Sequence, residues 1–144
     1  MTSDLLPDPS TEFGARVRRR LAQDKLIWLT TVGADGTPQP NPVWFLWEEP
    51  GTMLVYNRPA ANRLTHIAQR PQIALNLDGN GKGGDIVVLT GTAALAPDRP
   101  RPSDNSAYVA KYGEDMTRVS GSPEAFSDAY PVALVVTVGR LRGF

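Results

Sequence analysis

The fold is decided by residues 56–77, YNRPAANRLTHIAQRPQIALNL, where a strand end, a short helix and a second strand follow one another. Proline lacks the N–H that a strand ladder needs, so Asn57-Arg58-Pro59 stops the apolar strand that ends at Tyr56. Pro59 suits a first helical turn. About three turns of helix are predicted by apolar residues at i, i+3 and i+4, namely Leu64, Ile67 and Ala68. Pro71 ends that helix, and a strand is predicted by the alternating residues Ile73, Leu75 and Leu77.

Two arginines flank the start of this helix. Arg58 lies just before the first turn and Arg63 one turn in, so both guanidinium groups can converge near the helix N-terminus. Helix N–H groups together with two arginines hold a phosphate through bidentate hydrogen bonds and the helix dipole. The pattern therefore predicts an anion site, and a solvated basic helix face is the alternative.

Upstream, the chain predicts a hairpin with an unusual second strand. Residues 25–32, KLIWLTTV, are typical of a strand, and the Asp-Gly pair in 33–36 favours a hairpin turn. In residues 37–42, TPQPNP, every second residue is proline, and alternate residues direct their main-chain N–H groups to the same edge. That edge lacks three donors, so we expect the strand at a sheet margin, where a ligand or a second subunit fills the gap.

We expect the remaining segments to complete an antiparallel set. Residues 43–48 predict a continuation buried on both faces, and 52–56 return as a third strand in a meander. The glycine-rich 78–85 predicts a hairpin connection, because it lacks the order of a phosphate loop. A first helix is predicted near the start of the chain, capped by Ser10 or Thr11 and with Phe13, Val17 and Leu21 on one face. A strand is predicted over 86–95, with a bulge at Gly91. The rest of the chain predicts a helix over 103–113 closed by Gly113, a short helix over 124–129 and a strand over 130–141.

These elements predict a mainly β (α+β) fold. Six antiparallel strands with a few short helices would leave exposed edges unless the sheet closed into a small barrel. The length of 144 residues predicts a single domain over 1–144, with residues 1–9 as a flexible arm.

Composition excludes several classes of function. The 15 basic and 15 acidic residues cancel, which argues against nucleic-acid binding, and the cluster from Arg16 to Arg20 is interpreted as a solvated or intersubunit helix face. There is no cysteine and only one histidine, so no metal site is predicted and any redox chemistry requires an organic cofactor. No apolar run reaches the length of a membrane span and no signal peptide is evident, so we expect a cytoplasmic protein that does not bind membranes.

The order of these features resembles a known family, the split β-barrel flavin-binding proteins related to pyridoxamine 5′-phosphate oxidase. The resemblance covers nearly the whole chain and is carried by PNPVWF at 40–45, the basic residues after the third strand, RPQIALNLDG at 70–79 and the terminal LRGF. Within the family, the chain is similar to the actinobacterial branch that uses the deazaflavin coenzyme F420.

The resemblance implies a homodimer with two sites at the subunit interface and a small-molecule acceptor. It implies that the coenzyme phosphate is held by Arg58 and Arg63. The ring system is expected along the second strand, beside Gln39, Pro40, Asn41 and Val43, with Trp44 close by. Asn57 and Asn76 are further polar candidates. Arg140 and Arg142 are expected either to reach the coenzyme or its polyglutamate tail from the partner subunit or to pair with carboxylates across the dimer. The chain departs from the family pattern at Arg63, where lysine is common, and at Thr65, where a further basic residue often stands.

The predicted activity is hydride transfer from reduced coenzyme F420 to an electron-poor organic acceptor. An FMN-dependent oxidoreductase on the same scaffold is the alternative, since FMN also carries a ribityl phosphate, and a non-catalytic dimer that binds a flavin, haem or tetrapyrrole is another. No catalytic side chain is assigned. Solvent or one of Tyr108, Tyr112 and Tyr130 would supply a proton, and the only histidine, His66, is interpreted as a packing or hydrogen-bonding residue of the helix.

Overall fold

Seven strands form one antiparallel sheet in the computed structural model, which describes residues 5–144. They are β1 (Ile27–Val32), β2 (Pro38–Val43), β3 (Leu46–Glu48), β4 (Thr52–Asn57), β5 (Gln72–Asn76), β6 (Val87–Leu95) and β7 (Val132–Gly143). Their spatial order is β2-β1-β5-β6-β7-β4-β3. The predicted class, mainly β with a few short helices, is confirmed, with seven strands instead of six.

The sheet is curled because its two margins are joined by a very short connection. Only Trp44 and Phe45 separate β2 from β3, yet these strands lie at opposite ends of the sheet. Three Cα–Cα steps span at most about 11 Å, whereas a flat sheet would place its outer strands about 29 Å apart. The sheet must therefore bend into a half-barrel, and we call residues 44–45 the crossing segment.

The crossing segment overturns two sequence predictions. Residues 43–48 do not continue one strand; β2 ends at Val43 and β3 begins at Leu46. Residues 52–57 do return against 46–48 as the predicted hairpin, but the meander is broken between β2 and β3, so β4 pairs with β3 and β7 and makes no ladder with β2. The hairpin of β1 and β2 does form, with Ile27 opposite Val43 and Val32 opposite Pro38.

The three prolines of β2 line the open margin of the sheet. The Gly33 amide donates to the Thr37 carbonyl at 3.0 Å, and hydrogen-bonded positions alternate along an antiparallel ladder. Gln39 and Asn41 therefore direct their main-chain groups toward β1, and the prolines direct theirs outward. The prediction that this strand lies at a sheet margin without three donors is confirmed.

Four α-helices lie in the described range: α1 (Glu12–Gln23), α2 (Asn62–Gln69), α3 (Ser106–Ser120) and α4 (Pro123–Ala129). Helix α1 begins as predicted, with the Thr11 hydroxyl accepting from the Gly14 amide at 3.0 Å. Helix α4 also lies where expected. None of the described helices is long and apolar enough to cross a membrane.

Two helices differ from the prediction at their ends. Helix α3 runs past Gly113 to Ser120 and ends at Gly121, whose φ of 97° is the left-handed conformation that glycine adopts readily. Helix α2 starts at Asn62 and not at Pro59, so Arg58 lies four residues before it. Of its predicted apolar face, Ile67 is buried and Ala68 is exposed.

Two apolar clusters fill the interior. The larger lies between the concave face of the sheet and α1, and includes Val17 and Leu21. The smaller is aromatic and lies between α3, α4 and β4. Leu6 is buried in the first cluster and Leu5 packs on it, and residues 1–4 of the predicted arm lie outside the described range.

Strands β6 and β7 contain the predicted bulge. Their register shifts between Thr90, opposite Arg140, and Gly91, opposite Val138, so Gly139 is the additional residue. A Cβ atom on Gly91 would lie 2.0 Å from the Thr137 carbonyl oxygen. Glycine is therefore required there for close backbone approach.

Candidate functional site

Two adjoining cavities lie where β2, the crossing segment and the start of α2 meet. The first, which we call the polar cavity, has a volume of about 400 Å³ and is lined by Thr31, Gln39, Asn41, Ala61, Asn62, Arg63 and His66. The second, the aromatic cavity, has a volume of about 440 Å³ and is lined by Pro42, Val43, Trp44, Tyr56, Arg58, Ala61, Arg63, Tyr108, Val119, Phe126 and Tyr130. Ala61 and Arg63 line both cavities, so the two meet at these residues, and we call them together the groove.

Arg63 is held at the boundary by a buried amide. Its Nε donates to Asn57 Oδ1 at 2.5 Å, and Asn57 is fully buried at the end of β4. The Asn57 amide nitrogen donates to the Val55 and Val132 carbonyls at 3.0 and 3.1 Å. Every polar atom of the Asn57 side chain is thus engaged, so this residue, predicted as a ligand contact, positions Arg63 instead.

Arg63 carries a charge that no acid of the described chain neutralises. Neither Arg58 nor Arg63 forms an ion pair among residues 5–144. Burial lowers the pKa of the Arg63 guanidinium. The side chain nevertheless stays cationic at neutral pH, because the pKa of an arginine is far above that range. A half-buried cation without an acidic partner is suited to an anionic ligand.

The N-terminus of α2 adds further donors. Ala61 occupies the N-cap position and provides no side-chain acceptor, whereas the N-caps of α1, α3 and α4 each accept a backbone N–H through a side chain. The first amides of α2, including those of Asn62 and Arg63, therefore remain available at the boundary of the two cavities.

Arg58 lies apart from the polar cavity. Its guanidinium stands over the Tyr130 ring, 4.6 Å from the centroid, and contributes only to the aromatic cavity. The later start of α2 is the reason, because Arg58 belongs to the turn before the helix. The two arginines predicted to converge do share the aromatic cavity, but only Arg63 also lines the polar one.

Stacked rings form one wall of the aromatic cavity. Trp44 lies between Tyr112 and Phe126, with centroids 4.8 and 5.2 Å away and interplanar angles of 4° and 10°. Phe126 stacks in turn on Tyr130 at 4.4 Å. Near-parallel rings at these distances contribute packing energy beyond the area they bury, and Trp44, Phe126 and Tyr130 give the cavity an apolar wall.

Gln39 and Asn41 line the polar cavity as neighbours of Thr31 and His66. Thr31 pairs with Gln39 across the hairpin, so both side chains lie on the concave face. Thr31 Oγ1 lies 2.9 Å from His66 Nδ1, which fixes the imidazole against β1. None of the residues that line this cavity is acidic, so its chemistry is that of an anion or polar-ligand site.

Four predicted contacts lie on the opposite, convex face of the sheet. The register places Pro40 in one row with Thr30, Ala74, Thr90 and Arg140. Asn76 and Arg142 share the neighbouring row. All four of these predicted contacts are exposed, and they are Pro40, Asn76, Arg140 and Arg142. Within one chain they do not join the two cavities.

The tyrosines considered as proton donors differ in environment. Tyr108 and Tyr112 are buried, and burial raises the pKa of both phenols. The Tyr112 hydroxyl is held by main-chain groups of Lys25 and Phe45. Tyr130 is partly exposed and lines the aromatic cavity together with Tyr108, whereas Tyr112 lines neither cavity.

Sequence reasoning missed Thr31, Ala61 and Asn62 in the polar cavity, and Tyr56, Val119 and Phe126 in the aromatic one. The α3–α4 residues gave no sequence signal, because only the docking of these helices on β4 brings them beside Trp44. In the described part of the chain, no group of three His, Asp or Glu side chains is close enough to hold a metal ion.

Comparisons with known proteins agree with this architecture. The family model described as pyridoxamine 5′-phosphate oxidase matches residues 13–143, and no curated protein matches the sequence. An F420 reductase structure is 20% identical over 87% of this chain and 94% of its own, with a TM-score of 0.62. The heme storage protein HutZ from Vibrio cholerae is 14% identical over 92% and 95%, with a TM-score of 0.64. General Stress Protein 26 from Bacillus anthracis is 17% identical over 88% and 89%, with a TM-score of 0.66. At these identities the likeness is one of fold.

Proposed function

The chain belongs to the pyridoxamine 5′-phosphate oxidase family, and from this premise we propose that it is a reductase that uses the deazaflavin coenzyme F420 to reduce an electron-poor, flat organic acceptor. The observation that carries the proposal is Arg63, an unpaired cation held by Asn57 at the boundary between a polar and an aromatic cavity. The fold likeness to an F420 reductase supports the choice of coenzyme.

The residues present fit the coenzyme. A phosphate would be held by the Arg63 guanidinium and the uncapped amides at the start of α2. Gln39 and Asn41 offer amide groups to the ring carbonyls, and the outward carbonyl of Pro42, which lines the aromatic cavity, is an acceptor for a ring N–H group. A helix start without a side-chain cap and a strand edge with acceptors only are both explained by a ligand in this groove.

When bound, the reduced deazaflavin supplies a hydride from its C5 carbon. The chain contributes position and environment. Trp44, Phe126 and Tyr130 provide an apolar wall that excludes water from a bound acceptor, and binding both partners in this groove supplies the short approach that hydride transfer needs. Arg58, over the Tyr130 ring, attracts an acceptor that carries negative charge. A proton, where the reaction requires one, would come from Tyr130 or solvent.

A homodimer would bring the remaining predicted contacts to the groove. Asn76, Arg140 and Arg142 lie together on the convex face of β5, β6 and β7, away from the cavities of their own chain. We propose that this face meets a second copy, so that these side chains approach the partner's open β2 margin. Replacing Arg140 and Arg142 together with alanine should then weaken coenzyme binding without unfolding the chain.

Titration of the cofactor-free protein with F420 and, in parallel, with FMN tests the proposal by tryptophan quenching. We expect tighter binding of F420, and a loss of at least about tenfold in R63A, which corresponds to about 1.4 kcal/mol. R118A is the matched control, since Arg118 is exposed on α3 and lines neither cavity. Equal binding by R63A and the unchanged chain would refute the anion site.

Two other functions use the same groove. FMN would place its phosphate on Arg63, and a yellow protein as purified, with stronger FMN than F420 binding, would favour it. A carrier that binds a flat tetrapyrrole is supported by the aromatic wall and by the fold likeness to a heme storage protein. Tight haem binding without reductase activity toward quinones or activated enones would favour the carrier.

A further inference from the structure

Two arginines and no acidic side chain of the described residues line the aromatic cavity. Arg63 stands at the boundary with the polar cavity, whereas Arg58 contributes to the aromatic cavity alone. Within residues 5–144 the Arg58 guanidinium forms no ion pair, and it stands over the Tyr130 ring, 4.6 Å from the centroid. A ring face attracts a cation without neutralising it. The cavity therefore holds a second positive charge that no carboxylate of the described chain balances.

The aromatic rings of this cavity turn their edges toward a ligand. Trp44 is covered on its faces by Tyr112 and Phe126. Phe126 stacks in turn on Tyr130, and Arg58 stands over that ring. Because the ring faces are occupied within this column, the edges are left for the ligand, and the edge of an aromatic ring carries the positive part of its quadrupole. The apolar wall thus favours oxygen atoms with negative charge, as the arginines do.

We propose that the two arginines serve different ligands: Arg63 holds the coenzyme phosphate, and Arg58 binds a carboxylate group of the acceptor, so the acceptor is a flat conjugated carboxylate. This inference rests on the proposed reductase, because it divides the groove between coenzyme and acceptor. A planar guanidinium donates to both oxygens of a carboxylate at once. With its carboxylate at Arg58, the conjugated part of the molecule lies in the aromatic cavity, which Trp44 lines.

The surroundings of the two arginines separate these roles. Arg63 is held by the buried Asn57 and lies beside the uncapped amides at the start of α2, which are donors that suit a phosphate. Arg58 lies on the exposed turn that follows β4, four residues before α2, and does not line the polar cavity. Only Arg63 therefore has the surroundings of a phosphate site, although the family resemblance implies this role for both.

Calorimetric titration of the cofactor-free chain with cinnamate and with cinnamamide, in buffer without phosphate, tests the carboxylate role. The two molecules share one conjugated frame and differ in charge. We expect the parent to bind cinnamate about five- to tenfold more tightly than cinnamamide. This preference should be lost in R58A and kept in R118A, the matched control, since Arg118 is exposed on α3 and does not line the cavity. R58K retains the charge without the planar fork and should keep only part of the preference.

Titration of the same variants with F420 separates the two arginines. R58A should bind F420 within about twofold of the parent, because an exposed charge outside the phosphate site acts only through screened attraction. R63A should lose at least about tenfold.

Three results would overturn the inference: equal binding of cinnamate and cinnamamide by the parent, a preference for cinnamate that R58A retains, or a loss of F420 binding in R58A as large as in R63A. Any of the first two results together with intact F420 binding rejects the carboxylate role alone. An Arg58-dependent preference for cinnamate in a chain that does not bind F420 rejects the proposed reductase alone.

Discussion

Replacing Asn57 with alanine should both destabilise the fold and release Arg63, because one buried amide serves two purposes. The substitution removes two hydrogen bonds to the Val55 and Val132 carbonyls and one from the Arg63 guanidinium. Bonds between neutral groups contribute about 1 kcal/mol each and one to a charged group about 1.5–3 kcal/mol. We therefore expect N57A to lower the free energy of unfolding by about 3–5 kcal/mol.

Urea unfolding measures this loss, and a double-mutant cycle with R63M isolates the part that concerns Arg63. The coupling between the two positions should be about 1.5–3 kcal/mol, as for a charged hydrogen bond. N76A is the matched control, since Asn76 is exposed and its amide makes only one long hydrogen bond, at 3.4 Å. It should change stability by no more than about 0.5 kcal/mol. A loss below about 1 kcal/mol in N57A, or strictly additive effects with R63M, would refute the assigned role of Asn57.

Three further predictions concern the scaffold. G91A should lower the free energy of unfolding, measured in urea, by more than about 2 kcal/mol, because its Cβ would lie 2.0 Å from the Thr137 carbonyl oxygen. G113A lies inside α3 with its nearest contact at 3.4 Å and should raise the free energy of unfolding by about 0.5–1 kcal/mol. A G91A variant more stable than G113A would contradict the bulge assignment. T11A should lose about 1 kcal/mol through the missing N-cap and T11S should recover most of it, as judged by thermal unfolding. Hydrogen bonding to Arg16 on α1 lowers the pKa of Asp85. The stabilisation by the Asp85 carboxylate is therefore present above about pH 4 and is lost as pH falls through its folded-state pKa. D85N should unfold at a lower urea concentration than the parent at pH 7 and at the same concentration at about pH 2, and a difference that stays constant with pH would reject the ion pairs of Asp85 as the source of this stability.

Local sequence signals predicted the structure correctly wherever a feature depends on the residues of a single helix or strand. The prolines of β2 predicted a sheet margin because a missing N–H is a property of the residue itself. The cap of α1 and the bulge at Gly91 were likewise readable, since both depend on the residue at that position. For the site, the local pattern predicted only an anion site at Arg58 and Arg63, and the grouping of Arg63 with Gln39 and Asn41 came from the family resemblance.

The failures share one cause, which is that tertiary contacts chose between equally plausible local structures. Alternation through residues 43–48 is typical of one strand, but in the structure the chain changes margins at Phe45, where side chains of α3 bind its main chain. Gly113 and Gly121 are both possible helix ends, and burial of Met116 in the aromatic cluster carries α3 past the first. The sequence also gave no sign that Asn57 is buried, because its burial depends on β7, where the Val132 carbonyl accepts from its amide.

The proline margin also bears on how copies of this chain avoid polymerising. An open strand edge normally recruits further strands, which leads to fibres and aggregates. The β2 edge offers carbonyl oxygens at residues 38, 40 and 42 without the intervening amides, and the other margin, β3, is only three residues long. Neither margin can template a growing ladder, so the half-barrel is protected at both ends without a covering helix. Changing the three prolines to threonine would preserve the strand while removing that protection, and would open this edge to aggregation.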